Sequence, residues 1–230
     1  GTANVVNVAL TKGIKKLLHV SSIAAIGGKP NDLISEDTKW EKNEWTTHYG
    51  ITKMLAEREV WRAEQEGLEV VVVNPGIILG SSSNENKATM RVFKRIACGK
   101  MPFYSNGTNG FIDVRDVAKI CIQLMNSPIH SERFILINQN LSFKDYFERI
   151  AKRLNVQPPK RTLNKTLGNV FLFADWMAST LSRRKRSFTK EIFKVSMEHF
   201  EYSNEKIKRQ LDYTFIPFDE TIDNIAQQLK

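Results

Sequence analysis

Tyr49 and Lys53 stand four residues apart in the segment His48-Tyr49-Gly50-Ile51-Thr52-Lys53, the spacing that sets two side chains on one face of a helix. A phenol held beside an ammonium has its ionised form stabilised, so it can give up and recover a proton near neutral pH. A second hydroxyl comes from Ser21-Ser22, which closes the short apolar run Leu17 to Val20 and precedes small residues and Gly27-Gly28. A buried parallel strand delivers polar side chains to its carboxyl edge in this way, and that edge is where open α/β sheets place their chemistry. Tyr-x-x-x-Lys alone recurs in helices by chance. It gains weight from order: a Ser-Ser strand end, the Tyr-Lys helix and a second apolar strand ended by Asn74-Pro75-Gly76 follow one another in a single βαβ-like unit.

These landmarks together resemble the extended short-chain dehydrogenase/reductase family, the NAD-dependent epimerase/dehydratase group that includes nucleotide-sugar epimerases, dihydroflavonol and cinnamoyl-CoA reductases and 3β-hydroxysteroid dehydrogenases. The likeness also takes in Gly1 to Val6, Phe111-Ile-Asp-Val-Arg-Asp-Val-Ala118 and Tyr202-Ser-Asn-Glu-Lys206. It implies an α/β fold: a Rossmann-like parallel sheet, the carboxyl-terminal portion of a doubly wound domain, with a smaller, mostly helical substrate lobe. By resemblance Ser22, Tyr49 and Lys53 fall on the catalytic Ser, Tyr and Lys. By the same resemblance Ser21, Tyr49 and Lys53 are cofactor contacts, and Asn74, Pro75 and Gly76, at the turn that meets the nicotinamide end of a bound NAD or NADP, are cofactor or substrate contacts.

The same resemblance places Gly1 well inside the family's chain. A strand, a Gly-x-x-Gly-x-x-Gly turn and a helix would come first, their amides cradling the cofactor pyrophosphate, and no such glycine spacing occurs here. The expectation is that the amino-terminal, Gly-rich cofactor-binding portion, roughly 100 residues of βα units, is absent from this sequence, and that the 230 residues bind cofactor weakly without it. The related sugar 4,6-dehydratases carry an acidic pair where Ile23 and Ala24 stand. Elimination therefore lacks its acid and base, which leaves reversible hydride transfer at a carbonyl or hydroxyl substrate, with a nucleotide-sugar epimerase or a non-catalytic NAD(P)-binding relative as alternatives.

Composition sets the frame. A hydrophobic content of 41% over 230 residues supports one sizeable core or a core with a small lobe. Cys98 and Cys121 form no metal-ligand cluster and read as reduced, buried thiols, which points to the cytoplasm. No apolar run approaches the roughly 20 residues of a bilayer span. Basic residues outnumber acidic by 17 to 14 through Gln139 and by 17 to 11 from Asn140, and Arg183-Arg-Lys-Arg186 is the one dense cluster. No interleaved aromatics mark a nucleic-acid surface. A small-molecule substrate is the expected partner, and a homodimer is compatible with the reading.

The remaining elements follow from pattern. Residues 1–13 read as the end of a helix stopped by Gly13. Lys29 to Thr47 is a loop over the active-site edge, pinned by Trp40 and Trp45. His48 is read as an exposed helix start, with substrate contact as the alternative, and His19 as a satisfied core residue. The helix from Tyr49 runs to Gly67, with Glu57, Glu59, Glu64 and Glu66 on a solvated face. Leu68 to Val73 is a strand covered on both sides, which Pro75 cannot continue. Ser81 to Thr89 is a linker, Met90 to Gly99 a helix and Phe111 to Val114 a strand. Asp116 is expected to cap a helix from Val117 to Met125, structural capping is the reading for Asp113 as well, and Ser142 is expected to cap a helix from Phe143 to Leu154. Leu163 to Leu181 and Thr189 to Phe200 read as helices covering the substrate, with in-plane membrane contact as the lesser alternative. The expected domains are residues 1–80, the remaining dinucleotide-binding part, and 81–230, a substrate lobe, with 111–126 returning to the first.

Overall fold

The structure, a computed structural model, describes residues 1–81, 88–182 and 189–229. Helix α1 (Thr2–Thr11) leads into β1 (Lys16–Val20), a single 3-10 turn (Ile23–Ala25) and the short β2 (Leu33–Ile34). Helix α2 (His48–Gln65) precedes β3 (Glu69–Pro75) and β4 (Ile77–Leu79). Then come α3 (Ala88–Ala97), β5 (Phe103–Tyr104), β6 (Thr108–Asp113), α4 (Val114–Asn126), β7 (Glu132–Leu136), β8 (Gln139–Ser142) and α5 (Phe143–Leu154). The remainder is β9 (Arg161–Thr162), α6 (Lys165–Ser182), α7 (Lys190–Ser196), β10 (Glu201–Tyr202), α8 (Glu205–Leu211) and α9 (Phe218–Gln227).

The central sheet is parallel, in the order β1-β3-β7, with Val20 beside Val73 and Val73 beside Phe134. Its middle strand explains the run of valines. Val70 and Val72 pack with Val6, Ala9, Val60 and Ala63 of α1 and α2 on one face. Val71 and Val73 pack with Val117, Ile120 and Leu124 of α4 and Ile207 of α8 on the other. A strand covered on both faces has no polar side to alternate with. All four valines are 0% exposed, and each such burial contributes roughly 1.5–3 kcal/mol.

A second sheet, β4-β6-β8, pairs β4 with β6 in parallel and β6 with β8 in antiparallel. It carries a separate core in which Phe111, Tyr146, Phe147 and Phe218 gather between α3, α5 and α9. The sheets meet at a pair of glycines. A side chain at Gly76 would come within 2.4 Å of the Gly110 carbonyl oxygen, and one at Gly110 within 2.5 Å of Ile137. Gly76 is thus required by the close approach of two backbones.

Three local expectations are corrected. Strand β3 runs on through Asn74 to Pro75, which pairs with Leu136 at the strand's last position, where its missing N–H breaks no further ladder. Helix α4 begins three residues earlier than Val117; Asp113 caps it, as expected, by accepting from the Arg115 N–H at 2.7 Å, whereas Asp116 does not cap it. Asp116 is instead fully buried and accepts from the Tyr213 hydroxyl at 2.8 Å and the Ile216 N–H at 3.2 Å, strapping the tail to α4. The cysteines also differ from expectation: Cys98, in the turn after α3, is exposed, and Cys121 is half-buried, both free. Ser142 caps α5 as expected, accepting from the Asp145 N–H.

Candidate active site

The carboxyl ends of β1 and β3 deliver the chemistry-bearing residues. Ser22 lies in extended backbone as the cap of the turn Ile23–Ala25, its Oγ accepting from the Ala24 N–H at 3.2 Å. Thr47 caps α2 by accepting from the Gly50 N–H at 3.0 Å, so the helix starts at His48 and presents Tyr49 and Lys53 one turn apart. The Lys53 ammonium lies 5.9 Å from the centre of the Tyr49 ring, and Tyr49 is 55% exposed. Gly50 sets how near α2 comes to the Ser22 turn: any side chain there would meet the Ala24 carbonyl oxygen at 2.6 Å. Ser22 and Tyr49 flank this contact.

Beneath them lies a buried polar anchor. Asn74, 0% exposed, donates through Nδ2 to the Ser22 carbonyl oxygen at 2.8 Å and to Glu57 Oε1 at 2.6 Å. Glu57 pairs through Oε2 with Arg133 of β7, whose guanidinium sits 5.9 Å from the Trp61 ring centre. Glu57 is 1% exposed, which corrects the reading of a solvated acidic face. Glu57 follows Lys53 by four residues and Tyr49 by eight, on the same helical stripe, but spacing alone does not distinguish its buried end from the exposed Tyr49. The Ser22 turn, α2, β3 and β7 are thereby joined through three polar side chains and one carbonyl.

His19, on β1, is half-buried, and its Nε2 has no hydrogen-bond partner, so it is not the satisfied core residue expected. Burial pushes its imidazole below the ordinary value of 6.5; Glu57 opposes the shift and Lys53 adds to it. A histidine held neutral when folded leaves the unfolded chain to take up the proton, so stability is full above 6.5 and is lost as pH falls below it. We expect His19→Phe to flatten that loss. Melting temperatures taken from about one pH unit above 6.5 to one below should diverge between parent and variant, and parallel curves would exclude the linkage.

His48 is exposed at the start of α2 and contacts Glu191 of α7. Its backbone N–H donates to Glu191 Oε2 at 3.1 Å and its Nε2 lies 3.3 Å from Glu191 Oε1, so α7 is tied to the start of α2. Lys194 reinforces the tie through Glu44 at 2.7 Å, and stands 5.8 Å from the Trp45 ring centre. Trp40 lies against Gly27, and Trp45 packs on the Ile23 and Ile34 cluster, as expected of residues that hold the loop. A cavity of about 110 Å³ opens beside the Ser22 turn, lined by Ile23, Ala24, Trp45, Thr47, Val195 and Phe200 among others, and no lining residue is charged. Its lobe-side walls come from α7 and the residues after it, not from α6. The cluster Arg183 to Arg186 and most of the linker after Ser81 lie outside the described residues.

Comparison with known proteins decides the family. The model of the NAD dependent epimerase/dehydratase family matches residues 1–137. The chain belongs to this family. Cinnamoyl-CoA reductase 1 of Petunia hybrida is 28% identical over 162 residues, covering 66% of this chain and 48% of that protein. Cinnamoyl-CoA reductase 2 of Arabidopsis thaliana is 30% identical over 162 residues, with the same two shares, 66% and 48%. The crystal structure of gox2253 superposes with a TM-score of 0.80 at 24% identity, covering 98% of this chain and 69% of that one, which establishes the shared Rossmann-like α/β fold. This member of the epimerase/dehydratase family thus spans about half the length of these curated reductases.

The residues present suit the nicotinamide-ribose end of the dinucleotide that names the family. Ser21 Oγ and Asn74 Oδ1 are buried at the carboxyl edge of the sheet without a hydrogen-bond partner, and buried polar atoms of this kind call for one. Lys53 and Tyr49, one turn apart on α2, offer a cation and a hydroxyl to a sugar diol.

Proposed function

We propose that the protein is an NAD(P)-dependent oxidoreductase that reduces a small carbonyl compound, or oxidises the corresponding alcohol, with Tyr49 as the acid/base. The placement of Ser22, Tyr49 and Lys53 around the Gly50–Ala24 contact, at the carboxyl edge of a parallel sheet, carries this reading. Bound NAD(P) would supply or accept the hydride, with Ser21, Tyr49, Lys53, Asn74, Pro75 and Gly76 holding its nicotinamide-ribose end. Tyr49 gives its proton to the carbonyl oxygen as negative charge develops there, and Ser22 orients and polarises that oxygen. Lys53 holds the ribose and keeps a positive charge beside the phenol. In this division of labour residues 1–80 carry the chemistry and 81–230 shape the substrate site, apart from 111–126 and β7, which build the layer of the central sheet.

The cavity beside Ser22 favours a reductase over an epimerase. A nucleotide diphosphate brings at least two negative charges and calls for Arg or Lys, whereas the lining is apolar or neutral. Ile23 and Ala24 supply no acid or base for elimination, and Ile23 is buried in the core. The test is turnover by the full protein on a panel of neutral aromatic and aliphatic aldehydes and ketones with NADH or NADPH. Consumption of reduced cofactor with any of them supports the reading. Turnover confined to nucleotide sugars, without net cofactor consumption, would give the epimerase instead.

A further inference from the structure

Helix α6 turns one face to the protein and the other outward. Gly168 lies so close to Phe193 of α7 that a side chain there would meet the ring at 2.1 Å, Ser179 is buried, and Phe171 packs edge-on against Phe103 at 5.5 Å. On the outer face Val170 and Phe173 are each 59% exposed, Trp176 44% and Met177 45%. Phe173 and Trp176 lie 5.6 Å apart, so their rings form one continuous apolar surface. Helical spacing places these four residues on a common stripe along a helix about 27 Å long.

The charge of the chain is concentrated in the stretch of sequence that contains and flanks this helix. Residues 160–190 hold eight of the 34 Lys and Arg residues and one of the 25 Asp and Glu residues, and so account for seven of the nine net positive charges. Lys160 and Arg161 are exposed on its amino-terminal side; Arg183 to Arg186, which follow it in sequence, contribute here only as charge. The rest of the chain is close to neutral.

We infer that α6 docks on an anionic membrane surface, lying in the plane of the interface with Val170, Phe173, Trp176 and Met177 entering the headgroup region. Aromatic and aliphatic side chains on one face with basic residues at the flanks match that environment. No helix among the described residues is long and apolar enough to cross a membrane, so the contact is parallel to the surface. A second copy of the chain is a poorer occupant, because it carries the same net charge of +9, whereas an anionic surface has the opposite sign.

The test is co-sedimentation of the full protein with vesicles of phosphatidylcholine alone and of phosphatidylcholine mixed with phosphatidylglycerol. Binding is expected to the mixed vesicles, to weaken with added salt, and to fall at least ~10-fold in the Phe173→Ser/Trp176→Ser double variant. Both residues are exposed, so that variant should melt with the parent and keep its turnover. Absence of binding, or equal binding to both vesicle types, would overturn the proposal. So would a variant that binds vesicles like the parent but loses self-association, or one whose main change is a raised KM, which would assign the face to a second copy or to substrate.

Discussion

Tyr49→Phe is expected to lower turnover of the full protein by about 10²- to 10⁴-fold, the range for loss of a positioned acid or base, while cofactor affinity and melting temperature stay near those of the parent. The ring remains and only the hydroxyl leaves. Tyr49 is 55% exposed and its ring faces Lys53 at 5.9 Å, a contact the phenylalanine ring retains. Turnover and cofactor titration on the same preparation check this. Near-parental turnover by a folded, cofactor-binding variant would route the proton elsewhere.

Glu57→Ala should be the most destabilising single change in the polar anchor. Removing one member of a buried pair typically costs about 3–5 kcal/mol, because the partner is left charged without compensation. Arg133 keeps 24% of its side chain exposed, which places the cost near the lower end of that range. A melting temperature lower by roughly 10 °C would follow for a chain of this size. Turnover should fall as well, since Asn74 loses the Oε1 acceptor that fixes its grip on the Ser22 carbonyl. Joint replacement, Glu57→Leu with Arg133→Met, should recover much of the stability, because neither charge then remains buried. Equal melting of parent and Glu57→Ala would show that the anchor contributes little.

The contrast between these residues explains what the sequence disclosed. Ser22, Tyr49, Lys53 and the valine strand were legible because their signals are local: a strand end, a four-residue helical spacing and an unbroken apolar run. Glu57 was not, because its burial depends on Arg133, 76 residues away, and a charged helix residue reads as solvated until its partner is known. Asp116 failed for the same reason, its partners Tyr213 and Ile216 lying about a hundred residues on. Gly76 was legible as a special position but not for its cause, the backbone of Gly110 brought against it by β6. The apolar pattern of α6 read first as a substrate cover and only second as a membrane contact, since apolar periodicity marks a face without saying what lies against it.

Isotope transfer tests the central claim most directly. The full protein is incubated with a carbonyl substrate and nicotinamide cofactor deuterated at the transferring carbon, and the product alcohol is examined for the label. Hydride transfer assisted by Tyr49 predicts one deuterium on the former carbonyl carbon, with formation of the labelled alcohol suppressed in Tyr49→Phe. Product formed without the label, or labelled as fast by Tyr49→Phe as by the parent, would contradict it.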